Sequence, residues 1–340
     1  MSGEAELDIE DPASLRDYLH STGHVAEGIG ITTHVLPGGV SCRTVLVELG
    51  DGRAWVLKQA LARLRVTADW FSDPARIHRE AAGLRWLARL APPGATVEFV
   101  FEDHAAHVLA MTAVPTPHAN WKTLLLERGP EADHARQFGR LLGTIHRAAA
   151  AQAPVLQAEF ANLTFFEQLR LEAYYRATAT KVPAAADFYA RLIADTLAHR
   201  ATIVHGDFSP KNILVNAGRL VLLDHEVIHW GDPGFDLGFA LTHLLAKARH
   251  VAERRAAFAQ AAREFWSAYT AETIGLFAGL EPRAVRHTLG CLLARVDGRS
   301  PLEYLTPAER TAQRAAVLAQ ISAPPLAVAE LIAIMTADPA

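Results

Sequence analysis

Between Ile203 and Glu226 the chain carries His205, Asp207, Lys211, Asn212, Asp224 and Glu226, the densest run of side chains able to do chemistry. Three short apolar runs lie among them: one ends at Val204, a second is Ile213–Val215 and a third Leu220–Leu223. If Asn216–Arg219 forms a four-residue hairpin loop, Val215 faces Leu220, and one step outward Asn212 faces Leu223. Asn212 and Asp224 then meet at the open end of the ribbon, beside the loop bearing Asp207. A carboxylate plus an amide oxygen suits magnesium, which takes hard oxygen ligands and keeps room for substrate phosphates. A second carboxylate can orient an acceptor hydroxyl and take its proton. Taken singly, Asp207 and Asn212 read as turn formers and Asp224 as a surface acid at a strand end. The whole string in order is what favours a site.

A second constellation lies upstream. Lys58 ends the strand-like run Ala54–Lys58. The helix expected over 74–90 has an apolar stripe of Ile77, Ala81, Leu84 and Leu87, and Glu80 falls inside that stripe. A carboxylate on a buried face needs a partner, because desolvation without one is costly, and Lys58 is the evident candidate. The alternative is a snorkelling lysine and an unrelated helix acid. Gly38, Gly39 and Ser41 precede the first hairpin strand, where a glycine pair lets backbone amides approach a phosphate. Pro-Gly-Gly is also simply a turn. Lys211 adds a further positive charge beside Asn212.

These residues must be held by two kinds of scaffold. Residues 30–59 read as strands, with Thr44–Leu49 and Ala54–Lys58 joined at Gly50-Asp51-Gly52 as a hairpin. Asp73-Pro74 opens the helix with a cap residue and a proline at its first position. Val97–Glu102 and His107–Met111 complete a mostly antiparallel sheet. Beyond Pro115 the stretches 131–149, 160–177, 187–199, 236–247, 253–274, 283–295 and 307–320 have helical periodicity, interrupted by the β segment 202–224. The expected fold class is α+β, with a small sheet-bearing lobe over 1–113 and a larger, mainly helical lobe over 114–340.

The pattern His-x-Asp-x-x-x-x-Asn, with an Asp twelve residues later, resembles the catalytic and metal loops of the protein-kinase-like superfamily. His205-Gly206-Asp207 is similar to the aminoglycoside phosphotransferase and choline kinase branch. That resemblance implies a bilobal kinase-like fold and transfer of the γ-phosphoryl group of ATP to a hydroxyl of a small molecule. It makes Asp207 the catalytic base, Asn212 and Asp224 magnesium ligands, and His205 and Asp236 structural. Asp224-x-Glu226 is similar to 5-methylthioribose kinases and suggests Glu226 as a further metal-facing carboxylate. Lys58 and Glu80 match the lysine–glutamate pair of kinases, Gly38, Gly39 and Ser41 their phosphate-covering loop, and Met111–Pro115 the adenine hinge. The resemblance covers about residues 30–245. No Asp-Phe-Gly or Ala-Pro-Glu segment lies between Asp224 and Asp236, which points to a metabolite rather than a protein as acceptor. Arg295 loosely resembles one of the paired arginines near the sugar site of methylthioribose kinases, with Ala294 standing where the first would be. The alternative for Arg295 is a solvated arginine at a helix end.

Composition narrows the partners. The 340 residues are 50% hydrophobic, with 33 basic and 37 acidic side chains, so no basic footprint suggests nucleic acid. Acidic and basic residues also balance from Gly231 onward, which does not favour a polycationic acceptor. An acidic start, no apolar run near the roughly 20 residues of a membrane span, and two cysteines without metal spacing point to a cytoplasmic monomer or homodimer with no membrane partner. A metallohydrolase built on His205, Asp207, Asp224, His225, Glu226 and His229 is one rival, but it leaves Asn212 and the Lys58–Glu80 pair unexplained. A non-catalytic ATP-binding module on the same fold is the other.

Overall fold

The computed structural model describes residues 7–37, 41–65 and 70–337. The chain divides into two compact units, one formed up to Ala88 together with Val97–Pro115, the other by Arg89–Thr96 and everything from Thr116 onward.

In the first unit Asp11 caps helix α1 (Pro12–Ser21), accepting from the amides of Ala13 and Ser14 with Pro12 at the first turn. The Asp-Pro pair is a helix-start signal, and this helix adds to the elements expected from the sequence. Five strands follow: β1 (Ile31–Val35), β2 (Cys42–Leu49), β3 (Ala54–Ala60), β4 (Phe99–Asp103) and β5 (Val108–Thr112). They form one antiparallel sheet in the order β1-β2-β3-β5-β4. Side chains alternate between sheet faces with period two. Val45, Val47 and Leu49 of β2 and Trp55 and Leu57 of β3 therefore share one face, packed with Leu15 and Leu19 of α1. Lys58 falls on the opposite parity from Leu57. Helix α2 (Arg76–Leu90) buries Ile77, Glu80, Ala81, Leu84 and Leu87. It begins two residues later than Asp73-Pro74 suggested, because Asp73 caps a preceding turn through the Ala75 amide. Arg76, wholly buried, donates to the carbonyls of Ser41, Leu61, Ser72 and Asp73.

In the second unit β6 (His118–Asn120), β8 (Ile213–Asn216) and β9 (Arg219–Leu222) form a three-stranded sheet, while β7 (Thr202–Val204) pairs with β10 (His229–Gly231). Helices surround these short strands. Ala132–Ala150 packs on Arg255–Glu272, and Pro233–His250 on Leu280–Asp297. The expected helix over 160–177 is wound as a π-helix across Glu167–Arg176, a wider winding frequent at functional sites. The β8–β9 connection is tighter than expected: Asn216 and Arg219 pair, which leaves a two-residue turn of Ala217 and Gly218. Both are left-handed, at φ 48° and 75°, as this class of hairpin turn requires. The register is the same, with Val215 opposite Leu220.

Cys42 and Cys291 are both buried and neither forms a disulfide. Among the described residues no helix is long and apolar enough to cross a membrane.

Candidate active site

The loop after β7 is built around one buried carboxylate. Asp236, in the first turn of helix Pro233–His250, accepts from the His205 amide at 2.7 Å and the Gly206 amide at 2.8 Å, and meets His146 Nε2 at 3.3 Å. Burial raises a carboxyl pKa, but the interactions with His146 and His205 and the Gly206 amide outweigh it and hold Asp236 below its ordinary value. The helix itself is capped by Asp232 through the Gly234 amide. Gly206 has φ 78°, and a Cβ there would lie 2.8 Å from the Val227 side chain and 3.1 Å from its carbonyl. The glycine between His205 and Asp207 is thus required by both conformation and space.

His205 is braced on both ring nitrogens. Nδ1 accepts from the Asp207 amide at 3.2 Å, so Nε2 carries the proton and donates to the Leu223 carbonyl at 3.1 Å. Burial pushes its pKa down against the pull of Asp236, Asp207 and Asp224, in keeping with a neutral ring. His205 thereby ties the loop to the end of β9. Asn212, opposite, accepts the Leu223 amide at 2.9 Å through its own carbonyl.

Asp207 is fixed by two donors. Asn212 Nδ2 donates to Asp207 Oδ2 at 2.8 Å and to its carbonyl at 3.0 Å. Arg170, from the π-helical segment, meets the same Oδ2 at 3.1 Å and donates to the Gly206 carbonyl at 2.6 Å. Burial works against the Arg170 charge, but Asp207, Tyr174, Glu226 and Asp224 outweigh it and raise its pKa. Asp207, Asp224 and Glu226 therefore all act on one buried cation. Arg170 is not among the residues marked out from the sequence: it is a charge among the apolar residues Phe166, Leu169, Leu171 and Tyr174, but a π-helical segment does not keep the helical period that marks Glu80.

The donor set fits a hard divalent cation. Because the Asn212 amide nitrogen is committed to Asp207, its oxygen is the atom left to ligate. Asp224, half-buried just past β9, is held at φ 67°, uncommon for a residue other than glycine and often found at functional sites. Glu226 is buried two residues on, in a turn rather than a strand. Strand alternation therefore does not set the direction of His225, which lies between them. The ring nitrogens of His205 are engaged by backbone, and His229 bonds the Val227 carbonyl and stacks on Phe166. Two of the histidines expected of a metallohydrolase, His205 and His229, are thus turned to structural partners. Lys211 is exposed, and its carbonyl accepts from Asn120 at 2.7 Å.

In the first unit Lys58 Nζ lies 2.8 Å from each oxygen of Glu80, with the Glu80 side chain fully buried. Ser41 is half-buried, its carbonyl held by Arg76 and its hydroxyl 3.8 Å from Cys42 Sγ. Gly38 and Gly39 lie outside the described residues. Arg295 is not the solvated arginine that was the alternative: it is buried, bonded through one nitrogen to the Ser300 carbonyl and hydroxyl at 2.8 and 2.9 Å.

Comparison with known proteins places the chain in a family. The chain is 26% identical over 268 residues to methylthioribose kinase 2 of Oryza sativa subsp. japonica, covering 69% of this chain and 62% of the rice protein, less than two thirds of that relative's length. It is 26% identical over 290 residues to the methylthioribose kinase of Pectobacterium carotovorum subsp. carotovorum, covering 70% and 72% of the two chains. A solved amicoumacin kinase, in complex with AMP-PNP, Ca2+ and Ami, shares the fold with a TM-score of 0.53 at 15% identity, over 88% of this chain and 90% of that one. The sequence profile of the phosphotransferase enzyme family matches residues 32–273, well over half of the chain, and the protein belongs to that family.

Proposed function

We propose that the protein is a small-molecule kinase that transfers the γ-phosphoryl group of ATP, with magnesium, to a hydroxyl of its acceptor. The observation that carries this reading is Asp207, whose Oδ2 takes both Asn212 and Arg170 and whose other oxygen is left to receive an acceptor O–H. Asn212 Oδ1, Asp224 and Glu226 are the residues that would hold magnesium, which when bound neutralises charge on the transferring phosphates. In the first unit Lys58, oriented by Glu80, supplies a fixed cation for the nucleotide phosphates, and Ser41 borders Gly38-Gly39, the proposed phosphate-covering turn. Lys211, exposed beside Asn212, adds positive charge. Asp207 orients the attacking oxygen and takes its proton, Arg170 is a positioning residue for Asp207, and His205 and Asp236 keep the loop in shape. Catalysis of this kind is mostly positioning and electrostatics. The names of the rice and Pectobacterium relatives support a hydroxyl-bearing metabolite as acceptor, and the AMP-PNP complex of the amicoumacin kinase supports an adenine nucleotide.

The test is ADP formation with magnesium across a panel of hydroxylated metabolites. Asp207→Asn is expected to lower kcat by about 10²–10⁴-fold with nucleotide affinity unchanged. Arg170→Lys, which keeps the charge and loses the fork, is expected to lower kcat with little change in KM for ATP. Full turnover in Asp207→Asn would refute the assignment; nucleotide binding without turnover on any acceptor would favour the non-catalytic module.

A further inference from the structure

Buried cations gather between helices Pro233–His250 and Leu280–Asp297 of the second unit. Lys247, on helix Pro233–His250, is wholly buried, with no carboxylate among the described residues at ion-pair distance. Its ammonium meets the His243 carbonyl at 3.4 Å and lies 5.2 Å over the Tyr304 ring. Arg295 approaches from helix Leu280–Asp297: one terminal nitrogen donates to His243 Nε2 at 3.2 Å, while its Nε is buried without a partner. The Tyr304 hydroxyl is likewise buried and unpartnered. Lys122, nearer the surface, acts on both Lys247 and His243. The acid acting on Lys247 is Glu303, already paired with Lys122.

This cluster is connected to the catalytic loop. Arg295 stacks over Tyr174 at 5.0 Å and Phe239 at 5.3 Å, and Arg170 stacks over the same two rings at 5.6 and 5.8 Å. Arg170 is the residue that holds Asp207. One aromatic layer therefore separates the cationic cluster from the group that orients the acceptor hydroxyl.

A buried ammonium without a counter-ion is costly, and the groups here can all donate to an anion: the Lys247 ammonium, and the unpartnered Arg295 Nε–H and Tyr304 hydroxyl. An amine can shed its proton, but a guanidinium cannot. Lys247 is pushed down to about 7 by burial and by Lys122 and Arg295, so an arriving negative charge would restore its proton. We propose that this cluster is the far end of the acceptor site and that the acceptor carries, besides its reacting hydroxyl, a carboxylate or phosphate group held by Lys247, Arg295 and Lys122. The assignment of the acceptor side rests on the phosphotransferase reading above; the anion site does not.

The test is calorimetric titration of the full chain, with Mg–AMP-PNP present to fill the nucleotide site, using two matched trios: ribose, ribonate and ribose 5-phosphate, and glycerol, glycerate and glycerol 3-phosphate. At least one anionic member is expected to bind about ten- to a hundredfold more tightly than its neutral parent, the range of a charge-assisted hydrogen bond. A preference for ribose 5-phosphate or glycerol 3-phosphate would name a phosphate ester, and one for ribonate or glycerate a carboxylate. The preference should vanish in Lys247→Met and Arg295→Met, with thermal melting as the check on folding, and survive in Asp207→Asn. Equal binding across both trios, or a preference that persists in both Met variants, would overturn the proposal. Anion binding without phosphoryl transfer to any acceptor would sink the kinase reading and leave the anion site standing. Transfer to a neutral acceptor with no anion binding would do the reverse.

Discussion

At the scale of single residues, the second unit and the first use one device, a charge placed on an apolar stripe and met by its opposite. Glu80 does this on α2, and Arg170 does it in the π-helical segment. Glu80→Ala leaves Lys58 beside an apolar helix with its carboxylate partner gone, and is expected to cost about 3 kcal/mol. A fall in the urea midpoint checks it; a midpoint within error of the parent would mean that Lys58 reaches water unaided. The same pattern shows how far the sequence is legible. Glu80 is visible because its neighbours keep strict helical period. Arg170 is missed because a π-helix breaks that period, so its stripe reads as noise. Lys247 and His243 lie on a helix buried almost all round, where no polar face exists to mark a buried charge as unusual.

At the scale of elements, the β8–β9 hairpin sets the spacing of Asn212 and Asp224. Its register follows from pairing outward from the turn, which is why it can be read before any coordinates. The turn type is less legible, since Ala217 is not a residue that advertises a positive φ. Left-handed backbone costs an alanine more than a glycine, so Ala217→Gly is expected to raise stability by about 0.5 kcal/mol without altering turnover. A loss of stability would mean that chain entropy outweighs the relieved strain. Both the two-strand pairing and the strand-bearing first unit come from local patterns. The short strands β6 and β10, three residues each, carry too few residues to show a period at all.

At the scale of the whole molecule, the second unit is pinned by two buried aspartates that pH can reach. Burial opposes the charge of Asp232, but His287, Arg283 and the Gly234 amide outweigh it and depress its pKa, as happens at Asp236. A carboxyl whose folded pKa lies below its unfolded value contributes stability above the unfolded value, and that stability is lost as pH falls through the folded one. Unfolding in acid is therefore expected to set in below the ordinary aspartate value of 3.8, and Asp236→Asn should flatten the acid limb of a melting-temperature profile. An acid limb unchanged in that variant would move the cause elsewhere. The two cysteines, finally, make the protein its own clock. Each unit conceals one thiol: Cys42 lies in the first and Cys291 in the second, where burial pushes it up to about 12. A thiol so hidden and so reluctant to ionise reacts only while its surroundings are open. Timed alkylation followed by mass analysis would thus record the breathing of the two halves separately in one tube. Cys42, in the smaller core, is expected to be tagged first, and equal rates at all denaturant concentrations would show that the halves open together.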